Sequence, residues 1–255
     1  MISCDIMKKD PLIVYWAPLT SPESDFYGEW NMMYPEPNLL MHELMEKRNR
    51  DERNNRGFLQ CPAATGRFKH TYVFRTGMGS EVDFDFTNPY DPKLEITGKT
   101  SVGFKIERPS AFTEGGSISF NQGFLFFAEE PTIGVFSPPM MHEPGYTKYG
   151  TLIPGSFDIS QWFRPMNIEI QTWKTKGKII IEENEPLFYF EVLTDREVIL
   201  KRFRCNKNLV KYADACAQAP AYYGKHLPLT KRYEKFKQSK MNSIVLNEIK
   251  NNLVD

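Results

Sequence analysis

Residues 150–203 constrain the fold more tightly than any other part of the chain. There Pro154-Gly155-Ser156-Phe157-Asp158-Ile159-Ser160-Gln161-Trp162-Phe163-Arg164-Pro165 leads into three strand-like segments separated by tight polar turns. Ile168 and Ile170 alternate with Glu169 and Gln171, and Ile179-Ile180-Ile181 is a β-branched run. Leu187-Phe188-Tyr189-Phe190-Glu191-Val192-Leu193 then follows the breaker Glu182-Glu183-Asn184-Glu185-Pro186. Short alternating or β-branched runs with turn residues between them specify antiparallel sheet.

The pattern recurs upstream. Residues 11–17 read as a first strand, and residues 71–75 and 81–86 as two more, the last with Val82, Phe84 and Phe86 on one face and Glu81, Asp83 and Asp85 on the other. Residues 94–97, 102–107, 118–121, 124–129 and 132–136 are further candidates, each bounded by Gly, Pro or Asn. About ten short strands imply a mainly β chain, an antiparallel β-sandwich of jelly-roll or double-stranded β-helix type. The 19 Phe, 12 Tyr and 4 Trp suit such an interior, because flat rings pack well across pleated surfaces, and they can equally line a ligand cavity.

Helical patterns are few. Asn38 caps a short amphipathic helix with apolar residues at 40, 41, 44 and 45, and Gly57 stops the charged tract that follows, with a loop beyond. Residues 18–38, rich in proline and carrying Tyr27, Trp30 and Tyr34, read as an extended loop. Residues 208–219 form a weak helix, and 229–253 a C-terminal helix with Tyr233, Phe236, Met241, Ile244, Val245, Ile249 and Leu253 on roughly one side. Residues 1–205 are therefore expected to form a β-sandwich domain with an N-terminal loop and helix inserted, and 206–255 a helical extension packed on it. The C-terminal helix is also a candidate homo-oligomer contact.

Lysine plus arginine and aspartate plus glutamate balance at 32 each, so overall charge gives no reason to expect nucleic acid or an anionic membrane as partner. Cys4, Cys61, Cys205 and Cys216 are too scattered for a disulfide framework, which points to reduced thiols in the cytoplasm. Cys61, with no recognisable helix N-terminus or histidine beside it, reads as a buried structural thiol. The apolar run after Lys8 and Lys9 is short and bracketed by prolines, which fits neither a signal peptide nor a membrane span.

Four histidines, at 42, 70, 142 and 226, limit any histidine-based metal site. A jelly-roll iron enzyme needs three ligands on one face of the metal, normally His-x-Asp/Glu plus a distant His, and that spacing is absent. His70, His142 and Glu143 remain the conceivable ligands of Fe(II) or another divalent transition metal, the alternatives being a strand-edge His70 and a loop His142 with a hydrogen-bond partner. The loop Ser137-Pro138-Pro139-Met140-Met141-His142-Glu143-Pro144-Gly145 is either a pocket rim or a stiff crossover. Asp83, Asp85 and Asp91 could hold a hard cation, but their alternation marks a solvated strand face. Arg164, set between Trp162-Phe163 and Pro165, suits a carboxylate or phosphate clamp; its structural alternative is a salt bridge to Asp158. Trp162, Arg164 and Asp158 are the candidate ligand-binding residues.

With Pro154 to Pro165 as written above, Glu185-Pro186-Leu187-Phe188-Tyr189-Phe190 and Cys61-Pro62-Ala63 in view, the chain resembles an uncharacterised β-rich family of marine tailed phages and bacteria over residues 55–205. The resemblance implies a phage-encoded protein of the host cytoplasm with a jelly-roll or cupin-like sandwich, and carries no site residue. Three functions are open: binding of a small molecule or protein partner, a metal-dependent oxygenase resembling the Fe(II)/2-oxoglutarate enzymes, and a virion or assembly component. A shared fold cannot rank them.

Overall fold

A computed structural model describes residues 10–19, 33–50, 58–97, 104–109, 114–218 and 228–254. Most of the expected loop over 18–38, and His226, lie outside these. Fourteen strands and five α-helices make up the described chain. Strands β1 (Leu12–Leu19), β6 (Phe104–Pro109), β7 (Gly116–Ala128), β9 (Gly150–Leu152), β11 (Met166–Thr172) and β14 (Val198–Arg202) form one sheet, ordered β14-β1-β7-β11-β9 with β6 also on β7. A second sheet runs β10 (Gly155–Asp158), β8 (Ile133–Ser137), β13 (Pro186–Val192), β3 (Thr71–Arg75), β2 (Asn38–Leu39). A third contains β12 (Lys176–Ile181), β4 (Ser80–Asp85) and β5 (Lys93–Ile96).

The first two sheets face each other through aromatic side chains, as an antiparallel β-sandwich requires. Phe126 of β7 stacks on Phe190 of β13 at 4.0 Å. Phe74 of β3 meets Trp16 edge-on at 5.3 Å and Phe124 at 5.5 Å, and stacks on Phe188 at 4.9 Å. The third sheet extends the same core with Val82, Phe84, Ile179 and Ile181. All pairings are antiparallel except that of β1 with β14, whose long separation in the chain permits parallel pairing.

Helices cover both outer faces. Helix α1 (Leu40–Arg50) and α2 (Pro62–Phe68) set Leu40, Leu44 and Phe68 against Val73 and Tyr189 of the second sheet. Helices α3 (Lys207–Gln218), α4 (Leu229–Gln238) and α5 (Met241–Lys250) set Leu209, Val210, Ala213, Phe236, Val245 and Ile249 against Tyr15, Ala17, Leu125 and Phe127 of the first. Strands buried on both faces lose alternation. That is why Leu12-Ile13-Val14-Tyr15-Trp16 and Phe124-Leu125-Phe126-Phe127 are continuous apolar runs, whereas β4, with one face in solvent, alternates residue by residue.

Four expectations change. The two strands expected over 118–121 and 124–129 merge into a single thirteen-residue strand, β7, which ends at Ala128 and whose front half pairs with β6 and back half with β1. The expected C-terminal helix breaks into α4 and α5 at Lys240, which takes the left-handed conformation with φ 38°. Pro62 starts helix α2 where a loop was expected, its missing N–H costing nothing in the first turn. Cys61 therefore sits exposed at that helix start, not buried. No described helix is long and apolar enough to cross a membrane.

Candidate functional site

Ile159 to Pro165 form a strap between β10 and β11 that crosses from the second sheet to the first. Asp158 shapes its start: one carboxylate oxygen accepts from the Ser160 N–H at 2.9 Å and its hydroxyl at 2.7 Å, the other from Gln161 Nε2 at 2.5 Å. The strap's centre is pinned by Phe163, fully buried against Phe127 at 5.7 Å, edge-on. Trp162 and Arg164, on either side of it, are half-buried and line a cavity against the helices. Asn242 of α5 donates to the Ser160 carbonyl at 3.0 Å, tying the helices to the strap.

The Arg164 guanidinium lies over the Trp162 ring, 4.9 Å from its centroid. Trp162 in turn packs against Tyr233 of α4 at 4.5 Å and Phe157 of β10 at 5.6 Å. On one side of this stack is a cavity of about 240 Å³, walled by the strap, Cys216 of α3, Tyr233 and Phe236 of α4, and Met241. On the other is a groove of about 550 Å³ beside edge strand β10. Trp162, Arg164 and Tyr233 border both.

Burial pushes the Tyr233 hydroxyl up to about 12, against the pull of Arg164 and Arg232, so it stays protonated at neutral pH. Burial likewise raises the Cys216 thiol to about 11, against a hydrogen bond with the Phe163 backbone and the Arg164 charge. Arg164 Nε and Tyr233 Oη are buried and have no hydrogen-bond partner.

Of the three candidate ligand residues, Trp162 and Arg164 are in contact. Asp158 borders the groove but is engaged in the turn, and it makes no salt bridge to Arg164 among the described residues. Tyr233, Cys216 and Phe236 were not singled out as site residues, since Tyr233 and Phe236 read as ordinary positions on an apolar helix face.

His70, His142 and Glu143 do not converge. His70 sits in the turn before β3, its carbonyl accepting from Val192 N–H at 3.0 Å, and Glu143 is exposed. His142 turns instead to the outer face of the second sheet. Its Nδ1 lies 2.6 Å from Tyr189 Oη, and its Nε2 lies 3.3 Å from Glu43 Oε2 without hydrogen-bond geometry. Arg75 Nη2 completes the chain at 2.7 Å from Glu43. Tyr189 also accepts the Met141 N–H at 3.1 Å, so its hydroxyl meets both the backbone and the imidazole of the 138–144 loop. Burial alone would raise the Glu43 carboxyl, but the His142 and Arg75 side chains outweigh it and hold it down at about 2. The assembly ties α1, β3, β13 and the 138–144 loop together.

No group of three or more His, Cys, Asp or Glu among the described residues is arranged to hold a metal ion. Asp83 and Asp85 pair across to Lys178 and Lys176 of β12 on the solvated face of the third sheet, and Asp83 accepts from the Thr97 hydroxyl at 3.1 Å. Compared with protein families, curated proteins and solved structures, the chain finds no match.

Proposed function

We propose that the chain is a binding protein that takes a small molecule with a planar, apolar body into the cleft between the strap and helices α3 to α5. The observation that carries this is the Trp162–Tyr233 aromatic pair, which borders both the 240 Å³ cavity and the 550 Å³ groove, with Phe157 extending the row along the groove. Largely apolar concavities with a few fixed polar groups are what small ligands need, and aromatic faces supply contact area at low conformational cost. The phage-type origin and a place in the host cytoplasm are part of the same proposal; both follow from the resemblance over residues 55–205.

N-phenyl-1-naphthylamine, an uncharged naphthyl dye, is expected to gain fluorescence on titration with the full chain. Ala215→Trp fills the cavity from an exposed position on α3, and is expected to weaken that binding at least tenfold. Bound dye should also slow alkylation of Cys216, which lines the cavity, relative to the exposed Cys61. Dye binding that ignores Ala215→Trp and leaves Cys216 as reactive as before would remove the cleft from consideration.

A further inference from the structure

The polar groups of the cleft are lopsided. Arg164, Arg232 and Lys235 line the cavity, and no carboxylate does so among the described residues. Asp158, the acidic group bordering the adjoining groove, has both oxygens occupied by Ser160 and Gln161. Arg164 thus has no acidic partner among the described residues, and its Nε is shut off from solvent with nothing to donate to. Beside it the Tyr233 hydroxyl is equally buried and equally without a partner. Buried polar groups in folded proteins are normally satisfied, and two adjacent exceptions bordering one cavity call for an absent acceptor.

Resting on the binding role proposed above, we infer that the ligand carries an anionic oxygen group, of the carboxylate or sulfonate kind, seated on Arg164 and Tyr233, with its ring against Trp162. Stacking on Trp162 holds the guanidinium plane and leaves its N–H edges free to meet an oxyanion side by side. The Tyr233 hydroxyl, buried beside Arg164 and without a partner, donates to a further oxygen. Charge–charge attraction is stronger against the apolar side chains of Phe163, Phe236 and Met241, which line the cavity, than in open water. The apolar wall also sets the ligand class: an inorganic ion would satisfy Arg164 but leave the ring-sized space beside it unfilled.

The test compares two dyes with the same anilinonaphthalene body, 1-anilinonaphthalene-8-sulfonate and uncharged N-phenyl-1-naphthylamine, on the full chain. The sulfonate is expected to bind at least tenfold more tightly. Arg164→Met should bring the ratio of the two affinities toward one, and Arg164→Lys, which keeps the charge but not the fork, should leave it in between. Tyr233→Phe removes only an oxygen that has no partner in the fold, so it guards against a variant that fails to fold; it should cut the ratio about threefold or more. Equal affinities in the unaltered chain, or a ratio that Arg164→Met leaves alone, would overturn the anionic class while the cleft still binds the uncharged dye. Binding of neither dye would instead remove the cleft reading beneath it.

Discussion

Phe74 is the ring on which the two sheets meet, and replacing it tests the sandwich directly. It is 1% exposed and touches Trp16, Phe124, Phe126, Phe188 and Phe190, at centroid distances from 4.9 to 6.0 Å. Phe74→Ala forfeits about 2 kcal/mol of transfer free energy for the buried ring. The void left among five rings cannot collapse easily, because the neighbours are held on three paired strands, β1, β7 and β13, and this adds about 2 kcal/mol more. For a chain of this size, about 4 kcal/mol lowers the melting temperature by about 8–16 °C. Thermal unfolding followed by circular dichroism reads the shift, and urea unfolding should show a lower midpoint with an unchanged slope. Phe74→Leu, which keeps most of the volume, should recover more than half of the loss. A melting point lowered by less than about 3 °C in Phe74→Ala would refute the claim that the sheets pack through this ring.

Glu43→Gln probes the tie on the other face of the second sheet. Because the folded state holds Glu43 at about 2 against an ordinary 4.5, its contribution is fully present above pH 4.5 and is lost as pH falls toward 2. The shift corresponds to about 3 kcal/mol at most, and to about half of that once solvent screening is allowed for. The stability gap between the unaltered chain and Glu43→Gln should therefore close between pH 4.5 and 2; a gap constant with pH in denaturant titrations would contradict the assignment. Lys240→Gly should raise stability by about 1 kcal/mol, since glycine adopts the left-handed conformation between α4 and α5 without a Cβ penalty. A melting temperature unchanged or lowered would count against a strained break there.

The sandwich was legible because turn residues and apolar runs are local signals, and residues 71–75 match strand β3 residue for residue. The helices over both outer faces were legible only indirectly. Continuous runs such as Phe124 to Phe127 announce a strand buried on both sides but do not name what covers it. A break at Asn121 to Gly123 was expected because Gly and Asn usually end strands, yet β7 continues, with a shift of register opposite Asn167 and Ile168 of β11 taking up the residues between Phe120 and Gly123. In the site, Trp162 and Arg164 were visible as neighbours in sequence. Tyr233 was not, because its place opposite them depends on how a distant helix docks. His142 drew attention as a metal ligand for want of partners in sequence; Glu43 and Tyr189, which occupy it, are far away in the chain.

The back half of strand β7 is apolar on both sides, with Phe124 and Phe126 in the core between the sheets and Leu125 and Phe127 in the core beneath the helices. Polarity alone cannot then tell this half of the strand which way to face, since a slip of one residue would exchange one greasy set for another. Shape has to decide. Gly123 lies opposite Asn167, and a Cβ there would come within 2.6 Å of the Pro165 Cβ, so only glycine fits beneath the end of the strap. Any other alignment would bring a larger residue onto Pro165 and lift the strap from its seat. The alignment of the central strand and the placement of Trp162 and Arg164 are consequently one choice, made at a single glycine.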